Sequence, residues 1–216
     1  MPVYKKYNDT THYISISDAD RSPELDYTAT VYHGIDLDQF TFNPEPKGDY
    51  ILYFGRVHHD KGTKEAVEIT RALNRRLVIA GIIQDEVYFN EYVKPFLKQG
   101  EVEYIGSVGP DKRDTLLGNA TLLLHPINFR EPFGLSVVEA MACGTPVVAF
   151  NKGSMPELII DGKNGFLAEN MEEAIEKIKK IDNLDRINCR VHVEKRFSKE
   201  FMAKRYMEVY KKILLE

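Results

Sequence analysis

EPFGLSVVEAMACGTPVVAF, residues 131 to 150, is the stretch that decides the fold of this chain. Its apolar middle predicts a helix from about Gly134 to Cys143, Gly144 ends that helix, and TPVVAF begins a strand. The preceding ATLLLHP, residues 120 to 126, reads as a short buried strand. A strand, loop, helix and strand in this order place the helix N-terminus at the carboxyl end of a strand. Its unpaired N–H groups and partial positive charge suit a phosphate.

The chain before this stretch continues the alternation of strands and helices. Because parallel strands need crossover connections of helix length, the pattern predicts an α/β fold with a Rossmann-like, doubly wound parallel sheet flanked by helices. Ligands of such sheets bind beyond the strand carboxyl ends, where the strand order reverses. In the helix predicted over residues 85–100, Val87 and Tyr88 are expected to face inward. The segments are YILYFG (50–55), TKEAVEITRAL (63–73), RLVIAG (76–81), DEVYFNEYVKPFLKQG (85–100), VEYIGS (102–107) and DKRDTLLG (111–118).

The two ends of the chain are less regular. HYISIS (12–17) and TATVYH (28–33) are strand candidates separated by a polar stretch, and this opening reads as a tail or the remnant of something else. Beyond residue 197, Ser198 is a suitable N-cap for an amphipathic helix that closes the domain.

Composition excludes several classes of protein. With 43% hydrophobic and 29% charged residues among 216, the chain is an ordinary globular protein, and its net charge of -4 does not favour a nucleic-acid partner. Of the two cysteines, Cys143 and Cys189, the first falls in an apolar helix end and predicts a buried thiol in a reducing compartment; with no apolar signal segment at the start of the chain, a cytoplasmic protein is expected. No apolar run has the length of a transmembrane segment. No group of His, Asp and Glu has the spacing of metal ligands, so no metal site is expected.

A cationic loop follows the first strand of the regular part. GRVHHDKG, residues 55 to 62, carries Arg56 and Lys61 and precedes a helix. Alone, such residues are ordinary surface charges, but this loop leaves the carboxyl end of a strand, as the Glu131 loop does. The two loops are therefore predicted to converge on one crevice, where the cations neutralise a diphosphate. Neither GxxxxGK[ST] nor GxGxxG is present, which disfavours a P-loop kinase or a dinucleotide oxidoreductase.

The carboxylates Glu131 and Glu139 permit three interpretations. They are surface charges near a helix terminus, a glycosidase pair, or acceptors of hydrogen bonds from sugar hydroxyls. The apolar neighbours of Glu139 predict a buried helix, where a charge needs partners. A glycosidase has no need of a phosphate-binding helix terminus between its carboxylates, so the third interpretation is preferred.

Three histidines lie close to these loops. His58 and His59 are expected to be peripheral, and His125 is expected to be a satisfied structural histidine rather than an acid or base.

On these residues the chain resembles the donor-binding, C-terminal half of the GT-B glycosyltransferases of family 4, which are retaining enzymes that use nucleotide sugars. The resemblance covers roughly residues 31 to 167. It rests on VYHGIDLDQF (31–40), GRVHHDKG (55–62), EPFGLSVVEAMACGTPVVAF (131–150) and GSMPELIIDGKNGFL (153–167).

The resemblance implies a role for each matching position. Arg56 and Lys61 would hold the diphosphate and help it depart, Glu131 would bind donor-sugar hydroxyls, and Glu139 would bind the ribose diol. It also implies that the reaction needs neither metal nor cofactor, with a substrate such as UDP-glucose or GDP-mannose. Backbone N–H groups near Phe133, Gly134 and Leu135 would meet phosphate, and the base would rest against Gly106, Ser107 and Val108.

The resemblance also implies a domain organisation. Residues 1–30 would be the remnant of an N-terminal acceptor-binding domain, residues 31–197 the nucleotide-sugar-binding domain, and residues 198–216 the closing helix. We therefore expect the chain to bind a donor but to transfer little unless another chain supplies the missing half. Two alternatives stay open. The first is a non-catalytic nucleotide-sugar-binding module or the subunit of a split transferase. The second is a sugar-phosphate isomerase or epimerase.

Overall fold

The computed structural model describes residues 2–97 and 100–215 and confirms the predicted α/β fold. The strands are β1 (Tyr13–Ser15), β2 (Tyr27–Thr30), β3 (Tyr50–Phe54), β4 (Arg76–Ala80), β5 (Val102–Gly106), β6 (Leu122–His125), β7 (Val147–Phe150) and β8 (Gly165–Ala168). The helices are α1 (Pro2–Lys6), α2 (Thr63–Ala72), α3 (Glu86–Tyr92), α4 (Lys94–Leu97), α5 (Pro110–Asn119), α6 (Leu135–Ala142), α7 (Met155–Leu158), α8 (Met171–Ile178), α9 (Arg186–Arg196) and α10 (Lys199–Ile213). None of these helices is long and apolar enough to cross a membrane.

The central sheet has the strand order β5-β4-β3-β6-β7-β8, and all neighbouring strands are parallel. The chain builds outward from β3 to β4 and β5, then returns through α5 to place β6 on the other side of β3. The strand order therefore reverses between β3 and β6, and the loops that leave these two strands border the crevice that such a sheet offers to a ligand.

Both faces of the sheet are covered, which explains why its strands are apolar at nearly every position. Leu52 and Leu123 face a core closed by α5, α6 and α9. Ile51 and Leu122, one residue earlier in each strand, face a core closed by α2, α3 and α8.

The single helix expected over residues 85–100 is instead α3 followed by α4, and residues 98 and 99 lie outside the described residues. Pro95 has no N–H to continue the hydrogen bonding of α3, so the chain breaks at Val93 and begins a new turn. Val93 is fully buried, whereas Val87 is 75% exposed, so the inward position predicted for Val87 is wrong.

The opening of the chain is attached to the central domain. Strands β1 and β2 form a two-stranded parallel sheet. The hydroxyl of the buried Ser17 donates to the carbonyl of Pro132 at 2.5 Å, and the N–H groups of Asp18 and Ala19 donate to the Glu157 carboxylate at 2.8 Å. Residues 13–30 are therefore fixed to the segment around Pro132 and do not form a free tail.

The predicted closing helix is present as α10. The Ser198 hydroxyl accepts from the Phe201 N–H at 3.1 Å and caps the helix as expected. Val209 is buried, but Met207 and Tyr210 remain exposed, so α10 covers the domain with only part of its surface.

Candidate functional site

Two loops meet at the carboxyl ends of β3 and β6. Gly62 ends the cationic loop in the left-handed region, with φ of +73°, and a Cβ there would collide with the carbonyl oxygen of Pro126. The Asn128 N–H donates to the carbonyl of Asp60 at 2.7 Å. This close contact confirms that the Arg56–Lys61 segment and the Glu131 loop border one crevice.

Lys61 and Glu131 form an ion pair within this crevice. The Lys61 Nζ lies 2.5 Å from the Glu131 Oε2, and the two side chains are only 16% and 11% exposed. The Lys61 ammonium also lies 4.5 Å from the centre of the Phe129 ring. Because removing one partner would leave the other charge buried and unpaired, the pair stabilises the loops only as a unit.

His125 is the third polar group at this position. Its Nε2 lies 3.9 Å from the Glu131 Oε2 and has no hydrogen-bond partner among the described residues. Burial, helped by the charge of Lys61, lowers the pKa of His125 to about 3. The imidazole is therefore neutral at pH 7, and its unsatisfied nitrogen contradicts the expectation of a satisfied structural histidine.

Arg56 is the exposed cation of the crevice. Its Nη1 donates to the Oε1 of Gln84, a neutral side chain, and no ion pair to Arg56 occurs in the part of the chain that the structure describes. Arg56 therefore keeps its full charge available at the crevice mouth.

The N-terminus of α6 supplies backbone donors. Gly134 precedes the helix with φ of +99°, and the first N–H with an acceptor is that of Val137, which donates to Gly134 at 3.1 Å. The N–H groups of Leu135 and Ser136 have no acceptor among residues 2–97 and 100–215. Phe133 contributes only its backbone here, because its ring is buried against Tyr32, His33 and Phe197.

Glu139 projects from the middle of α6 and is also paired. Its Oε1 lies 3.1 Å from the Nη1 of Arg113, and its side chain is 12% exposed. Burial raises the pKa of Glu139, and the charge of Arg113 opposes that shift. Arg113 lies 4.9 Å from the centre of the Phe40 ring, which holds the guanidinium in place. Sequence reasoning missed Arg113 because it lies in α5, outside every motif.

A third loop, which follows β7, fixes the backbone of Glu131. The Ser154 N–H donates to the Glu131 carbonyl at 2.9 Å, and the Ser154 hydroxyl donates to the Phe133 carbonyl at 2.5 Å. Gly153, with φ of +60°, lies so close to Glu131 that a Cβ there would collide with its backbone. The motif at residues 153–167 therefore positions Glu131.

These groups surround a cavity of about 270 Å³. It brings together Arg56, Lys61 and Glu139 as predicted, with Glu131 joined to it through Lys61. The remaining lining residues are Tyr53, Phe54, Gly55, His125, Leu135 and Ser136.

The predicted base loop lies beside a different cavity. Ser107 and Val108 line a groove of about 820 Å³ between β5 and α5, which contains none of the crevice charges. Gly106 accepts from the Gly81 N–H at 2.8 Å, which ties the loop after β4 to the loop after β5. The paired charges and the free N–H groups lie at the smaller cavity.

One group of side chains departs from the expectation that no residues have metal-ligand spacing. His58, His59 and Asp60 place their ligand atoms within 4.8 Å of one another. His59, whose side chain is 64% exposed, is peripheral as expected, and its Nε2 lies 2.8 Å from Asp60. The Nδ1 of His58 accepts from the Asp60 N–H at 3.3 Å and so caps the turn over residues 59–61.

Fold and site together define a class of protein. The six-stranded parallel sheet flanked by helices matches the Rossmann-like folds of GT-B glycosyltransferases. AviGT4, a glycosyltransferase involved in avilamycin A biosynthesis, superposes with a TM-score of 0.78 at 25% identity, covering 94% of this chain and 64% of AviGT4. Anabaena Alr3699/HepE, solved in complex with UDP and glucose, gives a TM-score of 0.81 at 21% identity, covering 97% of this chain and 66% of its own.

Sequence comparison gives the family. The pattern described as "Glycosyl transferases group 1" matches residues 35–196, and the chain belongs to this family. An uncharacterized 41.2 kDa protein in the cps region of Klebsiella pneumoniae is 30% identical over 168 residues, 74% of this chain and 46% of that protein. A trehalose synthase of Pyrococcus horikoshii is 26% identical over 187 residues, 80% of this chain and 45% of that enzyme. The chain thus spans less than half of each of these two curated relatives.

Proposed function

We propose that this chain is the C-terminal, donor-binding domain of a family 4 glycosyltransferase and binds a nucleotide-diphospho-sugar for retaining transfer of a hexose, glucose or mannose. The observation that carries the proposal is the buried Lys61–Glu131 pair beside the free N–H groups of α6. The structural neighbour Alr3699/HepE has been solved with UDP and with UDP-glucose, which supports a nucleotide sugar as the ligand.

The diphosphate is proposed to bind between Arg56, Lys61 and the start of α6. Two cations and the backbone N–H groups of Leu135 and Ser136 offer charge-assisted hydrogen bonds to its oxygens. As the bond between sugar and phosphate breaks, negative charge accumulates on the departing diphosphate. The same groups stabilise that charge without rearranging, so they lower the barrier to transfer as well as binding the donor.

The two carboxylates are proposed to bind hydroxyls on opposite sides of the diphosphate. Glu131 accepts from the donor sugar, and Glu139, about 7 Å further along the helix axis, accepts from the ribose diol. Ser107 and Val108 are proposed to contact the base. Because Arg56 and Lys61 supply the positive charge, the proposed reaction needs no metal ion or cofactor.

Isothermal titration calorimetry with UDP, GDP, UDP-glucose and GDP-mannose tests this proposal. We expect micromolar to millimolar binding of at least one of the four, unaffected by EDTA. Glu139→Ala should weaken that binding, and Glu208→Ala, an exposed change on α10, should not. The proposal fails if none of the four ligands binds, and nucleotide-independent binding of glucose 6-phosphate would instead favour a sugar-phosphate isomerase or epimerase.

Transfer itself is a separate proposal. The chain spans less than half of its curated relatives, and we expect the 216 residues assayed alone to bind the donor but to transfer little sugar. Adding a separately produced acceptor-binding domain should raise turnover if the chain works as one half of a transferase. Binding with no turnover under any pairing would identify a nucleotide-sugar-binding module, and ready turnover by the chain alone would contradict the expectation.

A further inference from the structure

A second polar cavity lies between the N-terminal two-stranded sheet and the loop that carries Glu131. Its volume is about 510 Å³, and it contains two arginines from distant parts of the chain, Arg21 and Arg130. Neither arginine belongs to the donor crevice described above. The other lining residues are Ser22, Pro23, Leu25, Asp26 and Tyr27.

Arg21 is held in a fixed orientation by its inner nitrogen. The Nε donates to the hydroxyls of Ser15 at 3.2 Å and Thr30 at 3.0 Å, and the guanidinium lies 5.4 Å from the centre of the Tyr27 ring. Neither Nη1 nor Nη2 has an acceptor in the described part of the chain. A guanidinium fixed in this way offers its two outer nitrogens to an oxyanion in a geometry that costs little further ordering.

Arg130 is an exposed cation immediately before Glu131. It forms no ion pair or hydrogen bond through its side chain with any residue of 2–97 or 100–215. Two carboxylates lie nearby: Asp18 is paired with Arg21, and Asp26, which lines the cavity, is hydrogen-bonded to a neutral amide and keeps its charge. Asp26 accepts from the Asn8 amide at 2.6 Å, and Asp18 accepts from the Thr30 hydroxyl at 2.6 Å and lies 3.6 Å from the Arg21 Nε.

Hydrogen bonds connect the cavity to the loop that borders the donor crevice. The hydrogen bond from the fully buried Ser17 to Pro132 joins the segment of Arg21 to the loop of Glu131 at a point one residue beyond the carboxylate. The Ser17 hydroxyl also accepts from the Asp20 N–H at 2.9 Å, next to Arg21 in the chain. An anion bound between the two arginines would therefore lie at a fixed position beside the proposed site of the donor sugar.

We propose that this cavity binds an anionic group, a phosphate or carboxylate, on the molecule that receives the sugar. Two arginines from separate segments match the charge and the several oxygens of such a group, because the outer nitrogens of Arg21 and the whole guanidinium of Arg130 have no acceptor in the described part of the chain. The assignment of the anion to the acceptor rests on the proposed donor function, since it follows from the position next to Glu131. The binding of an anion by the cavity does not depend on that function.

Inorganic phosphate is the probe. Its binding is measured by ³¹P NMR while UDP saturates the donor crevice. We expect the UDP-loaded protein to bind phosphate, and Arg21→Gln or Arg130→Gln to weaken that binding at least tenfold. UDP affinity should be unchanged in both variants. Arg205→Gln, which removes an exposed arginine from α10, serves as the matched control and should leave phosphate binding intact. Circular dichroism verifies that each variant is folded.

Three results would overturn the proposal: no phosphate binding to the UDP-loaded protein, phosphate binding that both substitutions leave unchanged, or an equal loss of UDP affinity. The last would show that the two arginines contact the donor diphosphate. If UDP does not bind at all, the proposed function fails, and phosphate titration without UDP still tests the cavity. In that case Arg21→Gln should weaken phosphate binding and an exposed change at Arg205 should not.

Discussion

Glu131 and Glu139 border the same crevice, but the protein holds them in different ways. Glu131 lies in a loop, pairs at 2.5 Å with a lysine from another loop and has a neutral histidine beside it. Glu139 lies within α6 and pairs at 3.1 Å with Arg113 from a neighbouring helix. The Glu131 end joins three loops and the Glu139 end joins two helices. We therefore expect the Lys61–Glu131 pair to contribute more to the free energy of unfolding. The Arg113–Glu139 pair should act mainly on the pKa of Glu139.

The largest expected effect follows from removing the lysine. Lys61→Met leaves Glu131 buried without a counterion, so the free energy of unfolding should fall by about 3 kcal/mol. The double variant Lys61→Met with Glu131→Gln should recover most of that stability, while UDP binding stays weak in both. Urea denaturation and calorimetry measure the two quantities. If the double variant is no more stable than the single one, the pair does not act as a unit.

Glu139→Gln should have the next largest effect, confined to the nucleotide. A carboxylate that accepts from two ribose hydroxyls contributes roughly 2 kcal/mol, so UDP affinity should fall about thirtyfold. Affinity for 2′,3′-dideoxyuridine diphosphate, which lacks the diol, should be the same in wild type and variant. An equal loss for both nucleotides would show that Glu139 acts on something other than the ribose.

Arg113→Met should change how UDP binding depends on pH. Burial already raises the pKa of Glu139, and without Arg113 that pKa rises further. Since the ionised carboxylate is the stronger acceptor, affinity is lost as pH falls through this pKa, and the loss should begin at higher pH in the variant. We therefore expect the variant to bind UDP more weakly than wild type at the acidic end of the profile. Arg113→Lys, which keeps a positive charge, should restore much of the wild-type profile; parallel profiles for wild type and Arg113→Met would contradict the role of Arg113.

The smallest expected effect is the contribution of His125, beside Glu131, to the pH dependence of the unfolding free energy. The folded pKa of His125, about 3, lies below its ordinary value of 6.5, so the unfolded chain takes up a proton first as pH falls and unfolding is favoured. Between pH 7 and pH 6 this costs about 0.7 kcal/mol of stability. His125→Leu should remove that part of the pH dependence, and the same change at the exposed His59 should not. The measurement is the difference in unfolding free energy at the two pH values.

The sequence was sufficient for the features that local patterns determine. Alternating apolar strands and helices predicted the parallel sheet, and the positions of Lys61 and Glu131 after two strands predicted that their loops would meet. The partner of Glu139 could not be predicted in this way, because Arg113 reaches it only through the return of α5 across the sheet. Helical periodicity likewise placed Val87 inward, whereas α3 buries Tyr88 and Phe89 and leaves Val87 exposed. Long-range contacts of this kind depend on tertiary packing, which a local pattern does not record.

The contrast between exposed Arg56 and the enclosed Lys61–Glu131 pair has a consequence for the speed of ligand capture. An ion pair is nearly neutral when viewed from a distance, so an approaching dianion is attracted at the mouth chiefly by Arg56. The association rate constant should therefore decline with ionic strength in a way that depends on Arg56, since salt screens exposed charges most strongly. Dissociation should depend on Arg56 and also on the enclosed groups, which the solvent ions hardly reach. In this molecule Arg56 acts on arrival as well as on residence, whereas Lys61 acts chiefly on residence.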